Sequence, residues 1–221
     1  MLRFCPLSQR NYSPNMKRTI IGGIFAVVAA ALYGIVAVIV GSHRGVSGPP
    51  LVASAPPVVV VVVDSDYVPS GWMGDGKDGQ KYLSLERSPA DVFGVQKTVI
   101  KITYRPGPQG WAAVYWQYPD GNWGTSPGRN LTGHRKLTFL VRGENGGEIV
   151  EFKAGGITGK FADTFVQTLG KIDLQKTWDR QTISLDGKDL SNVVGAFCWS
   201  AAAADNKSAS IVFYLTDIVI E

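Results

Sequence analysis

The stretch VYWQYPDGNWG, residues 114–124, holds the side chains in this sequence best suited to recognising a small polar ligand. Tyr115, Trp116, Tyr118 and Trp123 flank a Pro-Asp-Gly-Asn turn signal, with Gln117, Asp120 and Asn122 among them. Flat rings beside amides and a carboxylate match the two sides of a sugar. A ring covers the apolar C–H face while the polar groups take the hydroxyls. Arg142 offers a further set of donors. A buried aromatic side chain represents about 150–250 Å², so two exposed rings supply several kcal/mol before ordering costs are subtracted. A shallow site of this kind binds weakly, in the micromolar range at best.

Strand parity divides the stretch. Trp111, Ala113, Tyr115 and Gln117 point one way, and Ala112, Val114, Trp116 and Tyr118 the other. The second set suits a packed interior. The first, with Gln117 in it, suits a half-wet face. Trp116, Trp199 and Trp72 read as core residues, whereas Trp123, beside the turn, is open to ligand contact or to loop packing. Part of the stretch therefore anchors the fold and the rest faces a loop-lined groove.

Bond-making chemistry has less to draw on. Beyond residue 57 the one histidine is His134, in a Gly-His-Arg turn, so a histidine-dependent triad or His-rich metal site has no source, and His134 reads as a solvated loop residue. Glu148 and Glu151 are an odd number apart and point to opposite faces of a strand, which separates them as a catalytic pair. Asp75, Asp78, Glu86 and Asp120 fall in loops that could converge. Asp64 and Asp217 end up near each other if the first and last strands pair antiparallel; they are weak candidates for a structural Ca²⁺, the alternative being solvated strand-end acids. Cys198 lies in an apolar run and reads as a small buried hydrophobe.

These residues sit in an all-strand region. From residue 58 onward no segment keeps a 3.6-residue apolar period, and strand signals recur between Gly, Pro, Asn and Asp. The spacing predicts strands over 58–63, 98–104, 111–118, 136–142, 148–153, 178–185, 194–199 and 211–220. The first, six consecutive valines, is expected to be covered on both faces. KLTFLVRGENGGEIVEFKAGG, 136–156, reads as two strands joined in a hairpin through Glu144-Asn145-Gly146-Gly147. Eight strands without crossover helices predict an all-β, two-sheet antiparallel sandwich, of the jelly-roll kind.

Ahead of this region lies an unbroken apolar run, residues 20–40, long enough for a transmembrane helix. Lys17 and Arg18 abut it on the N-terminal side, which predicts a cytoplasmic tail over 1–19 and a domain outside the membrane over 58–221. Cleavage after Val52-Ala53-Ser54 is the competing reading, and Met16 competes with Met1 as the start. Residues 41–57 are a Pro-rich linker. Five of the 22 basic residues and none of the 18 acidic ones fall within residues 1–63. The net charge of +4 therefore comes from the leader, and the outer region lacks the basic excess of a nucleic-acid-binding domain. Cys5 and Cys198 fall on opposite sides of the bilayer and are not expected to pair.

The run of segments PSGWMGD (69–75), VIKITY (99–104), GWAAVYWQYPDGNWG (110–124), LTGHRKLTFLVRGENGGEIVEFKAGG (131–156), DGKDLSNVVGAFCW (186–199) and FYLTDIVIE (213–221) resembles bacterial extracytoplasmic domains of the galactose-binding-like class, related to carbohydrate-binding modules. The resemblance implies a sandwich of two antiparallel sheets, in many members a structural calcium ion, and glycan binding on a concave sheet face or at the loops. Two departures stand out. Relatives usually have two adjacent acids where this chain has Thr216-Asp217, and the tip after Trp199, AAAADNKSAS, is small and poor in polar groups for a ligand.

The reading that results is a membrane-anchored, non-catalytic module for carbohydrate, a glycan or envelope polysaccharide, with Tyr115, Gln117, Asp120, Asn122, Trp123 and Arg142 as ligand contacts. The alternatives are a protein-binding assembly or scaffold domain of the same fold and, further off, a glycoside hydrolase.

Overall fold

The computed structural model describes residues 59–207 and 209–221. The tail, the apolar run at 20–40 and the linker at 41–57 lie outside the described residues. Among the described residues no helix is long and apolar enough to cross a membrane.

The described residues begin with β1 (Val61–Val62) and a single helical turn, α1 (Val63–Asp66), then β2 (Val68–Gly74) and a 3-10 turn (Asp75–Lys81). β3 (Leu83–Val92), β4 (Val95–Tyr104), β5 (Trp111–Gln117), β6 (Lys136–Gly143) and β7 (Ile149–Gly155) follow, then β8 (Val166–Asp173), β9 (Asp179–Ser184), β10 (Gly195–Ala202) and β11 (Ile211–Ile220). They form two antiparallel sheets. One has the order β3-β4-β11-β6-β9 with β1 added on β11, and the other β2-β5-β10-β7-β8. The two-sheet all-β sandwich is as expected.

Alternation along each strand builds the core between the sheets. Leu137, Phe139 and Val141 of β6 point inward with Ile100 and Ile102 of β4, toward Val114 and Trp116 of β5 and Phe197 and Trp199 of β10. Their rings interlock edge to face: Trp116 lies 5.3 Å from Phe197, Phe139 5.1 Å from Phe197, and Trp199 5.1 Å from Phe213. Trp116 and Trp199 are fully buried and Trp72 packs against the core at partial exposure. Cys198 is buried on the other side of its strand, with no disulfide partner among the described residues, and burial pushes its thiol up to about 12.

Three expectations change. Residues 136–156 are not a hairpin: β6 pairs with β11 and β9, while β7 pairs with β10 and β8, so the Gly-rich link crosses from one sheet to the other. Glu148 folds back into this link and accepts a hydrogen bond from Asn145 N, while Glu144 N bonds to Val212 O of β11 in one sheet and Gly147 N to Leu174 O just past β8 of the other. The valine run yields a two-residue strand, because Asp64 and Asp66 open a helical turn. Val61 and Val63 are buried while Val59, Val60 and Val62 are exposed, so one face alone is covered. His134 is not simply solvated: its ring nitrogens contact Leu131 O and Val59 O, tying its turn to the start of the domain.

The β3–β4 hairpin carries local strain. Val92 pairs with Val95, leaving Phe93 (φ 55°) and Gly94 (φ 82°) as a two-residue turn with both φ values positive. Phe93 is 68% exposed, so its ring contributes little packing to offset a left-handed backbone. Phe93→Asn should stabilise the fold by about 1 kcal/mol, a rise of roughly 2–4 °C in the thermal unfolding midpoint; an unchanged or lower midpoint would contradict this.

Candidate functional site

The outer face of the five-stranded sheet is laid out in rows by strand register. Trp111 stands opposite Ala202. The next row runs Met73, Ala113, Ser200, Glu151, Lys171, and the one after it Gly71, Tyr115, Cys198, Lys153, Thr168. Small side chains, Ala113, Ser200 and Ala202, keep the first two rows low, so the floor is a shallow cleft of about 200 Å³ walled by the Trp111 indole, Ile149, Glu151, Lys171 and Asp205. A second hollow of about 460 Å³ adjoins it through Ile149 and Asp205 and runs toward Asn145 and Asp173.

Local geometry fixes each wall. Trp111 opens β5 and is 39% exposed. Gly74 lies against it: a Cβ there would sit 2.2 Å from Trp111 O, and its φ of 61° is left-handed, so both space and backbone call for glycine. Ahead of Trp111, the loop 105–110 is gripped by the buried carboxylate of Asp75. It accepts hydrogen bonds from Tyr104 Oη (2.7 Å), Gly107 N (2.8 Å), Gln109 N (2.8 Å) and Gly110 N (3.1 Å). Burial works to raise the Asp75 pKa, but these bonds outweigh it and hold the carboxyl below its ordinary value.

Asp205 belongs to the tip after β10. Asn206 beside it donates from Nδ2 to Ile149 O and Ala202 O and accepts from Ile149 N, pinning the tip to β7 and β10. Asp205 is thereby held against Lys171, with Nζ–O distances of 2.9 and 2.8 Å, and the hydrogen bond raises the Lys171 pKa. Glu151 accepts a hydrogen bond from Thr168 Oγ1 at 3.2 Å. The tip is therefore not inert toward this face, contrary to its bland composition.

The residues expected to touch ligand divide. Gln117 and Asn122 are buried and spent on the turn. Gln117 donates to Asn122 O and accepts from Ser70 Oγ. Asn122 donates to Tyr118 O and Ser126 O and accepts from the backbone N–H groups of Thr125 and Ser126. Tyr115 is also buried, covered in part by Ile157, and its hydroxyl donates to Gly155 O; burial pushes its pKa up. The expected half-wet character fails at Tyr115 because the segment after β7 packs Ile157 over it, and at Gln117 because Ser70 and Asn122 of the turn take up its amide. Trp123 stays 41% exposed, edge-on to Tyr115 at 6.1 Å between centroids, and Asp120 is exposed at the turn. Arg142 lies on the other sheet. Its guanidinium covers Tyr214 at 3.8 Å from the ring centroid, away from the other five.

Of the loop carboxylates expected to converge, Asp75 is a buried loop anchor, and Glu86 lies not in a loop but exposed on β3, accepting from Ser84 Oγ. Asp64 and Asp217 do line one cleft, of about 250 Å³. Each has its own cation. Asp64 takes two hydrogen bonds from Arg87 and one from Trp116 Nε1, and Asp217 pairs with Lys97. That donor set does not fit Ca²⁺, and among the described residues no three His, Cys, Asp or Glu side chains cluster as metal ligands.

Fold and cleft together define the class: a two-sheet antiparallel β-sandwich with an open aromatic cleft on one outer face. No known family matches the sequence, and no curated protein does. Among solved structures the chain is similar to a family 30 carbohydrate-binding module of a cellulosomal cellulase of Clostridium thermocellum, at 15% identity over 65% of this chain and 87% of that one, with a TM-score of 0.45. A family 11 carbohydrate-binding module from Clostridium thermocellum, in complex with a β-1,3-1,4-mixed-linked tetrasaccharide, gives 14% identity, 73% and 93% coverage and a TM-score of 0.44. An exo-β-agarase gives 10% identity, 71% of this chain, 24% of that chain and a TM-score of 0.48. Nothing about a ligand follows at these identities and scores, and the architecture rests on the strand register.

Proposed function

We propose that residues 58–221 are a non-catalytic carbohydrate-binding module, carried outside the membrane by the apolar run at 20–40 on the linker at 41–57, with residues 1–19 in the cytoplasm. The observation behind the sugar reading is the cleft: an exposed Trp111 indole beside Glu151, Lys171, Asp205 and Ser200. The ring offers a face for the C–H side of a pyranose, and carboxylates, an ammonium and a hydroxyl stand at its margin for the sugar hydroxyls. Asp205 is taken up by an ion pair with Lys171 and is not set opposite a second free carboxylate across the cleft, which favours recognition over glycoside cleavage. The topology rests on Lys17 and Arg18 ahead of the apolar run.

One experiment tests both parts. Intact cells producing the full chain are incubated with a panel of fluorescent oligosaccharides, then permeabilised and incubated again. Surface labelling by one glycan class is the expected result. Labelling that needs permeabilisation overturns the topology. Absence of labelling in both states overturns the sugar reading, and a single dominant protein crosslinked to this face would then favour the scaffold alternative.

A further inference from the structure

Resting on that reading, we infer that the Trp123 end of the same face accepts an anionic sugar, a carboxylate or sulfate ester on the ring, paired with Lys153. Trp123 and Lys153 are held by one side chain: the indole packs edge-on to Tyr115, and Lys153 Nζ lies 5.0 Å from the Tyr115 ring centroid. Lys153 sits on β7, inside the sheet, between Cys198 of β10 and Thr168 of β8. The residue is half-buried and its ammonium rests over the Tyr115 ring, so the cation is confined to one part of the face. A cation so placed loses less conformational freedom on pairing with an anion than a freely rotating lysine does.

The acids near it are engaged or turned away. Among the described residues Lys153 forms no ion pair, whereas Lys171 on the next strand is bound to Asp205. Glu151, two residues earlier on the same face, takes the Thr168 hydroxyl. Asp163 is turned inward, accepting from Ile157 N, Val194 N and Gly195 N. Asp120 remains, exposed at the turn. A second lysine, Lys160, is carried by the loop that abuts the Trp123 turn, where Phe161 N donates to Gly124 O at 2.9 Å. The balance of charge shifts along the face: Glu151, Asp173 and Asp205 stand against Lys171 and Lys207 at the Trp111 end, and Lys153 and Lys160 against Asp120 at the Trp123 end. A chain bound along it meets an exposed indole at both ends but a cation fixed on the sheet beside the ring only at the Trp123 end, and an acidic sugar is favoured there.

The test measures affinity of the full chain, in detergent, for matched polymers: polygalacturonate against its carboxyl-reduced form, and a sulfated galactan against its desulfated form. The expected result is at least about tenfold tighter binding of one charged polymer, weakening as salt rises. The pair that responds identifies the anion. Lys153→Gln should remove that preference and change affinity for the uncharged form by less than about twofold, while Lys136→Gln, on β6 of the other sheet, changes neither. Equal affinity for charged and uncharged forms overturns this inference and leaves the sugar reading standing. A preference that survives Lys153→Gln overturns the assignment to Lys153, and absence of binding to all four polymers overturns this inference, the sugar reading being decided by the oligosaccharide panel.

Discussion

Asp75→Ala should destabilise the domain by about 3–4 kcal/mol, read as a fall in the denaturant midpoint at neutral pH. The carboxylate has no exposed surface and accepts four hydrogen bonds, three from backbone N–H groups and one from Tyr104. Truncation strands donors whose desolvation is no longer offset, at about 1–3 kcal/mol each where water cannot reach, and loop 105–110 admits water to some of them. Asp75→Asn keeps the shape but sets an amide donor against N–H donors, so it should recover little. Tyr104→Phe, which removes one bond of the four, should cost about 1 kcal/mol. The pH dependence has a definite sign. The folded carboxyl ionises below the ordinary value of 3.8, so its contribution is complete above that value and is lost as pH falls through the folded pKa. Wild-type stability should drop steeply in that acid range and the Asp75→Asn profile should be flatter. A midpoint shift under about 1 kcal/mol for Asp75→Ala would show that the loop is not held this way.

The link from this anchor to function is short. Gly110 N is one of the four donors, Gly110 O accepts from Ala203 N of the tip, and Trp111 follows directly. One buried acid therefore sets both the start of β5 and the loop that carries Asp205. This acid illustrates what a sequence leaves unread. Asp75 is equally plausible as one of several loop carboxylates converging on a substrate, and its burial depends on Gly107 approaching so closely that a Cβ would meet the carboxylate oxygen at 2.7 Å.

Periodicity found the strands buried on the core side and flanked on both edges, such as β5, β10 and β11. It missed β2, β3 and β8, and each of these lies at a sheet edge. An edge strand keeps one row of backbone groups unpaired, so it tolerates Pro69 and Gly71 in β2, Pro89 in β3 and Gly170 in β8, which erase the apolar alternation. The 136–156 segment failed for another reason. Turn chemistry says that the chain reverses after Gly143, but not whether the next strand lies beside β6 or across the core from it. At the site, parity correctly separated Tyr115 from Trp116, but Tyr115 is buried by Ile157, some 40 positions away, and Gln117 is taken up by Ser70 and the turn at Asn122. Trp111 was visible in the same parity set as Tyr115. Asp205, in a run of alanines, carried no signal until Asn206 was seen to bind β7.

Trp111→Ala should weaken glycan binding by about thirtyfold, near 2 kcal/mol, with a much smaller effect on folding. The estimate follows from a stacked indole losing on the order of 100 Å² of apolar contact at about 25 cal/mol per Å². Stability is spared because the ring stands on the outer face, 39% exposed, and takes no part in the core. Titration with the glycan that labels best, alongside thermal unfolding of the same samples, separates the two effects. The competing location is the outer face of the six-stranded sheet, which also carries aromatics, Tyr214 and Trp178. Those rings are already covered: Arg142 lies 3.8 Å from the Tyr214 centroid and 5.4 Å from that of Trp178, and the Tyr214 hydroxyl donates to Glu144. A sugar there would have to displace a cation from its ring before it could stack, whereas the Trp111 indole borders an open cleft. Full affinity in Trp111→Ala, lost instead in Trp178→Ala, would move the site to that second face.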